Sequence, residues 1–373
     1  MKPLDDVITN EFIPALFGRE ITSNDREILS LPIREGGLGI QIQHEIAESS
    51  YYTSTKITAP LVSKIKEQYH SLPCQDVVNA AKSDAIKLSK YQAEEKYASV
   101  KTKQDAESKR NLEQLSERGS SSWLGAIPLK DQGFNLNKSE FQDALNLRYD
   151  KPLKHLPSNC ACGQKFTITH AMNCHRGGFI NARHDNIRNF EAQLLKQVCN
   201  DVEIEPQLQP IGGATFHRSA NVRDDARLDV RAKGFWRDGQ NAFFDVRVTN
   251  ADNNSQITKP LKTVLRSHEQ EKKRQYNSRV MEIEHGTFTP LVITVKGVIA
   301  PEANRFHKTL AEKIAIKSGE RYDDVNRLIR IKMSFLVIKA ALLCIRGSRR
   351  LQNNDNSETC DDFSYNLNEL RIQ

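Results

Sequence analysis

Phe243-Phe244-Asp245-Val246-Arg247-Val248 is the stretch on which the fold turns. Successive side chains of a strand point to opposite faces, so Phe244, Val246 and Val248 share one side and Asp245 and Arg247 the other. A second run, Arg227-Leu228-Asp229-Val230, repeats the pattern, with Asp229 opposing Leu228 and Val230. A third, 291–296, is apolar almost throughout. The segments 226–231, 242–248 and 291–296 therefore read as strands.

Helical periodicity fills the intervals. Ile187, Phe190, Glu191, Leu194, Leu195 and Val198 recur at helical spacing. Residues 257–280 read as a basic helix with Pro260 near its first turn. Residues 324–345 are mostly apolar and should form a core helix. The order helix, strand, strand, helix, strand, helix predicts a mixed α/β (α+β) fold, its mixed sheet flanked by helices.

Upstream the pattern is different. Leu31-Pro32-Ile33-Arg34-Glu35-Gly36-Gly37-Leu38-Gly39-Ile40 is a turn-rich break within a helical region, 1–60. Residues 61–122 read as a charged linker, helical from about 76 to 118 and stopped by Gly119-Ser120-Ser121-Ser122. A small unit around Trp123, Phe134, Phe141 and Leu145 occupies 123–180, ahead of a globular domain over 181–350. The tail 351–373, rich in Asn, Asp and Ser, should be disordered.

Hydrophobic residues make up 38% of the 373-residue chain, and charged residues 27%. With a mean hydropathy of −0.59 this is a polar, globular composition. The apolar run Met333–Ile345 is interrupted by Lys339 and is short of the roughly 20 residues a bilayer requires. We therefore expect a soluble, intracellular protein without membrane partners. A net charge of +7 favours nucleic acid if the cations cluster. Seven cysteines, unevenly spread, argue against a disulfide framework.

Three of those cysteines crowd together with two histidines. Cys160 and Cys162 precede His170, Cys174 and His175. Thiolate and imidazole are the donors zinc prefers, and four close a tetrahedral site. The best set is Cys160, Cys162, His170 and Cys174, with His175 competing as fourth ligand.

Two acids on adjacent strands, Asp229 and Asp245, offer the oxygen ligands that suit Mg²⁺. Glu191 lies on the apolar stripe of its helix and should point inward, where a carboxylate must be paired or bind metal. Lys262, Arg266, Lys273 and Tyr276 fall near one face of the basic helix, a candidate phosphate-tracking surface.

In order along the chain these pieces resemble the C-terminal half of non-LTR retrotransposons that carry a restriction-like endonuclease. That family has a Cys-Cys-His-Cys knuckle, an Arg-His-Asn/Asp motif, a Pro-Asp, a second acid, and lysines on the following helix. Here stand Cys160, Cys162, His170 and Cys174, then Arg183-His184-Asp185, Arg227-Leu228-Asp229, Asp245 and Lys272-Lys273. The similarity spans about 120 to 345, and 28–60 resembles the region after the family's polymerase palm. It implies a structural Zn²⁺, a catalytic Mg²⁺ on Asp229 and Asp245, and Glu191 assisting. It further implies Arg183, His184, Lys262, Arg266 and Tyr276 on target DNA, with element RNA a second candidate partner, and action in the nucleus.

Two departures stand out. Leu228 replaces the family's proline, and Arg247 stands where PD-(D/E)xK nucleases place a lysine. Arginine clamps phosphate but does not give up its proton. The working lysine would then be Lys272 or Lys273. The polymerase signature is absent; Tyr322-Asp323-Asp324 lacks its spacer, and Asp323 reads as a helix N-cap. A zinc-containing nucleic-acid-binding module without catalysis is the alternative, and a scaffold from a decayed element a third reading.

Overall fold

The computed structural model describes residues 2–349, apart from Ala214, Asn254 and Ser255. The expected disorder of 351–373 lies outside the described residues. The chain divides into two compact units, Met1–Ser116 and Glu117–Gln373. No described helix is long and apolar enough to cross a membrane.

The first unit is helical: α1 (Lys2–Val7), α2 (Ile13–Phe17), α3 (Ser23–Ser30), α4 (Gln43–Lys66), α5 (Gln75–Lys103) and α6 (Ala106–Ser116). Its Gly-rich break is a tight return after α3. Leu38 and Ile40 both donate to Leu29 O. A Cβ on Gly37 would sit 1.9 Å from Leu31 O, so no other residue fits there. Residue 60, the expected domain boundary, is a proline inside α4.

The second unit opens with α7 (Lys138–Arg148), α8 (Ile168–Asn173) and α9 (Phe179–Val198). Then come β1 (Val202–Ile204), β2 (Val230–Lys233), β3 (Asn241–Thr249), α10 (Leu261–Glu282), β4 (Thr287–Thr294), α11 (Pro301–Ser318) and α12 (Tyr322–Arg346). The four strands form one mixed sheet in the order β1-β2-β3-β4. β1 and β3 run antiparallel to β2, and β4 runs parallel to β3. The expected strands and basic helix are present, shifted by a few residues.

Among the elements that were not expected are β1 and α11. β1 is three residues long, too short to show a period. α11 is a separate helix, started by Pro301 and ended by left-handed Gly319. Asp323 is not an N-cap either: Arg321 holds that position, and Asp323 lies in the first turn of α12.

Alternation along β3 sorts the layers. Ala242, Phe244 and Val246 pack with α9, α11 and α12 in the main core. Phe243 faces the other way, onto Val280 of α10 and Phe288 of β4. Phe244 centres the main core, its ring 5.5 Å from that of Phe235 and 4.8 Å from that of Phe306. The long connection between β1 and β2 is fastened to α10 by Arg279, a fully buried guanidinium. It donates to the carbonyls of Asn221, Arg223 and Gln209 at 2.7–2.8 Å.

Replacing Phe244 with Ala should open a cavity beneath the sheet and cost about 3–5 kcal/mol. Denaturant unfolding followed by tryptophan fluorescence checks this: Trp236 lies against the same core, its neighbour Phe235 being 5.5 Å from Phe244.

Candidate functional site

The cysteine–histidine cluster is built by a short hairpin and α8. Asn159 and Lys165 form an antiparallel bridge, and Cys160 N donates to Gln164 O at 2.8 Å. Left-handed Gly163 (φ +87°) turns the chain so that Cys160 and Cys162 face α8. Thr167 caps that helix, its hydroxyl accepting from His170 N at 3.0 Å. Cys174 follows the last helical residue as C-cap.

The four donor atoms of Cys160, Cys162, His170 and Cys174 lie within 4.8 Å of one another. Cys160 Sγ and Cys174 Sγ are 3.7 Å apart, and Cys162 Sγ is 3.3 Å from His170 Nε2. A tetrahedron around zinc has ligand–ligand edges of about 3.6–3.8 Å, whereas a disulfide would bring sulfurs to about 2.05 Å. The donor set and its spacing thus fit a metal such as zinc. His175 is exposed and is not part of the group.

The knuckle packs on α12 through Phe166, Met172, Ala341, Cys344 and Ile345. Two buried arginines hold the free carbonyls at the end of α8. Arg183 Nη1 donates to Met172 O at 3.2 Å, and Arg349 Nη2 to Ala171 O at 3.3 Å. Arg183 is therefore a fastening within the fold, 5% exposed, rather than a solvent-facing contact for DNA as expected.

The acidic residues meet where β2 parts from β3. Val230 is the last β2 residue paired with β3, opposite Phe244, and Asp229 N also donates to Phe244 O at 3.1 Å, so the regular ladder ends at Asp229, beside Asp245. Asp229 lies on a bend. Val230 joins the main core, but Leu228 packs with Phe243 and Val280 on the α10 side. The expected alternation of 228 and 230 about Asp229 therefore breaks. Before Asp229 the chain turns to a new partner, Leu228 N donating to Pro206 O at 3.3 Å. Val246 N, left without a strand carbonyl, donates to Asp229 Oδ2 at 2.6 Å.

Around this pair stand two cations. His184, from α9, places Nε2 3.2 Å from Asp229 Oδ2 and Nδ1 3.2 Å from Asp185. Its hydrogen bond to Asp229 raises the imidazole pKa to about 9, against the opposing cost of burial. Lys272, from α10, lies 2.8 Å from Asp245 Oδ2, at an angle poor for a hydrogen bond. Burial pushes the Asp245 carboxyl up to about 6, with Lys272 opposing and the Asp229 charge adding to the rise. The two carboxyl groups are thus close enough to feel each other. Two neighbouring carboxylates, one of them almost wholly buried, are a setting into which a hard divalent cation fits.

The other expected site residues are placed elsewhere. Arg247 shares Asp245's face but ion-pairs with Glu271 at 2.7 Å. Lys273 pairs with Glu302 at 2.7 Å, leaving Lys272 as the lysine at the acids. Glu191 is fully buried in the opposite layer, 2.7 Å from His307 Nε2 of α11, which supplies the partner its burial demands. Tyr276 is half-buried against Phe288, its hydroxyl accepting from Asn221 Nδ2 at 3.2 Å, so its ring is committed to the fold. Lys262 and Arg266 are exposed on α10. His184 carries a more specific place than the DNA contact expected of it; its neighbour Asp185 in the Arg-His-Asp run was the only local signal.

No family model matches the chain, and no curated protein is significantly similar to it.

We expect about one zinc per chain by metal analysis, lost on Cys162→Ser or Cys174→Ser together with the order of residues 155–180. Chain purified without chelator and free of zinc would overturn this. The His184 pair has a pH signature. Its folded pKa lies above the unfolded value of about 6.5, so its stabilisation is complete below that and lost as pH rises through about 9. Without added divalent cation, the Tm loss on His184→Gln should be largest near pH 6 and vanish above pH 9.

Proposed function

We propose that this chain is the nuclease-bearing part of a non-LTR retrotransposon, a magnesium-dependent endonuclease with a restriction-like core that nicks target DNA. The observation that carries the reading is the meeting of Asp229 and Asp245 at the parting of two strands, with Lys272 beside one acid and His184 beside the other. Acids on a strand parting, served by a lysine from the next helix, are what that chemistry requires.

Asp229 and Asp245 would hold the magnesium. Bound there, the ion would polarise a phosphodiester and lower the pKa of an attacking water. Lys272 orients that water and steadies negative charge on the phosphate. Hydrolysis breaks the bond from phosphorus to the 3′ oxygen, which takes up a proton; the resulting 3′ hydroxyl can prime reverse transcription. Exposed Lys262 and Arg266 supply phosphate contacts along α10, with Arg274 further on. Chromosomal target DNA places the work in the nucleus, and element RNA is a second partner of the same charge.

Plasmid nicking tests the reading. Purified chain with Mg²⁺ should relax supercoiled plasmid, and Asp245→Asn should abolish nicking while leaving duplex affinity within about twofold, since the acid contributes no phosphate contact. Lys262→Ala with Arg266→Ala should weaken binding and flatten its salt dependence by about two counterions. Retained DNA affinity with no nicking in the wild-type chain would instead establish a non-catalytic binding module, for which Arg247 in place of lysine is the supporting feature.

A further inference from the structure

We infer that Arg183 is a positioning residue through which the zinc-binding knuckle sets the place of His184 and, through it, of Asp229. The inference rests on the endonuclease reading only for the use to which Asp229 is put.

α8 has six residues, too few to hold a helix by itself. Two zinc-ligand side chains, His170 and Cys174, grip it from one side. From the other, Arg183 reaches its last turn, donating to Met172 O and lying against the sulfurs of Met172 and Cys344. No described carboxylate pairs with Arg183. A buried guanidinium without a counter-ion depends heavily on each carbonyl it binds. If α8 shifts, Arg183 loses its acceptor and cannot stay where it is.

Arg183 and His184 are consecutive residues in the second turn of α9. Neighbours on a helix point about 100° apart, so one turn of backbone aims Arg183 at the knuckle and His184 at Asp229. His184 then meets the same Asp229 oxygen that accepts from Val246 N. Movement of that turn withdraws the imidazole from Asp229 and alters the ligand geometry at the acids. Arg349 gives the internal contrast. It holds the adjacent carbonyl, Ala171 O, and Cys344 O, and lies over the Phe179 ring at the start of α9, but it belongs to the segment after α12 and is not carried on the turn that aims His184.

The test is Mn²⁺ affinity of the full chain, read from the electron paramagnetic resonance of free Mn²⁺, with zinc counted in the same samples. Wild-type chain should show a Mn²⁺ site that Asp245→Asn removes. Arg183→Met, brought to one zinc per chain and with unchanged helix content, should bind Mn²⁺ about tenfold more weakly, the scale on which groups behind a metal ligand act. Arg183→Lys, which keeps the charge and a donor, should recover much of the loss. Arg349→Met at equal zinc should stay within twofold of wild type. Should Arg183→Met fail to fold, zinc loading of the wild-type chain decides: Mn²⁺ affinity should fall when zinc is removed, and equal affinity in zinc-depleted and zinc-loaded samples of unchanged helix content overturns the inference. Wild-type Mn²⁺ affinity in zinc-loaded Arg183→Met overturns it directly. A wild-type chain without any Asp245-dependent Mn²⁺ site overturns the endonuclease reading instead.

Discussion

The parting of β2 from β3 at Asp229 is the constraint from which the rest of the second unit follows. β3 goes on for five residues beyond its last pairing with β2, and those residues have a strand on one side only, that of β4. An unpaired strand N–H within a protein has to find an acceptor. At Val246 that acceptor is a side chain, the Asp229 carboxylate. The chain supplying it has already turned away to pair with 206–208, a course Arg279 fastens from α10. One backbone donor thereby fixes a carboxylate in the gap between strands, near a second one.

Two carboxylates that close would repel, and the fold answers with cations from opposite layers. His184 comes from the α9 layer and Lys272 from α10. Their unequal effects are informative. Asp229, partly exposed and bonded by Val246 N and His184, is the better satisfied of the two. Asp245, almost wholly buried, is pushed up despite its lysine, because desolvation outweighs one poorly aligned ion pair. The site is thus under electrostatic tension, concentrated on a single carboxyl group. Arg247 adds nothing to relieve it, since Glu271 already claims that charge.

Periodicity made the central strand, α10 and α12 legible in the sequence, because each buries a continuous face. The signal for α11 was also present, in Ala303, Phe306, Leu310, Ala311 and Ile314 between Pro301 and Gly319. The cysteine–histidine cluster was legible because its four donors lie within fifteen positions. Partnerships between distant segments were not. That Glu191 should be buried and need a partner follows from its stripe, but His307 lies 116 residues away. The choice of Lys272 over Lys273 depends on a helix rotation of about 100° that only the packing of α10 decides. Arg183 and Tyr276 read as surface chemistry from their residue types, yet both side chains are spent on holding segments together.

The knuckle also bears on how such a protein can be cut and recombined. Its hydrophobic floor is shared between residues 160–174 and the last turns of α12, some 170 positions later. Three of the eight buried residues of that small core are lent by α12. The motif is thus not a cassette that can be excised with its four ligands and grafted elsewhere: a peptide ending at residue 180 keeps the donors but loses Ala341, Cys344 and Ile345 beneath them. Insertions and exchanges that respect the linear order of motifs would still sever it. Its lineage should pass from protein to protein only in company with the sheet and its closing helix, as one inheritable block.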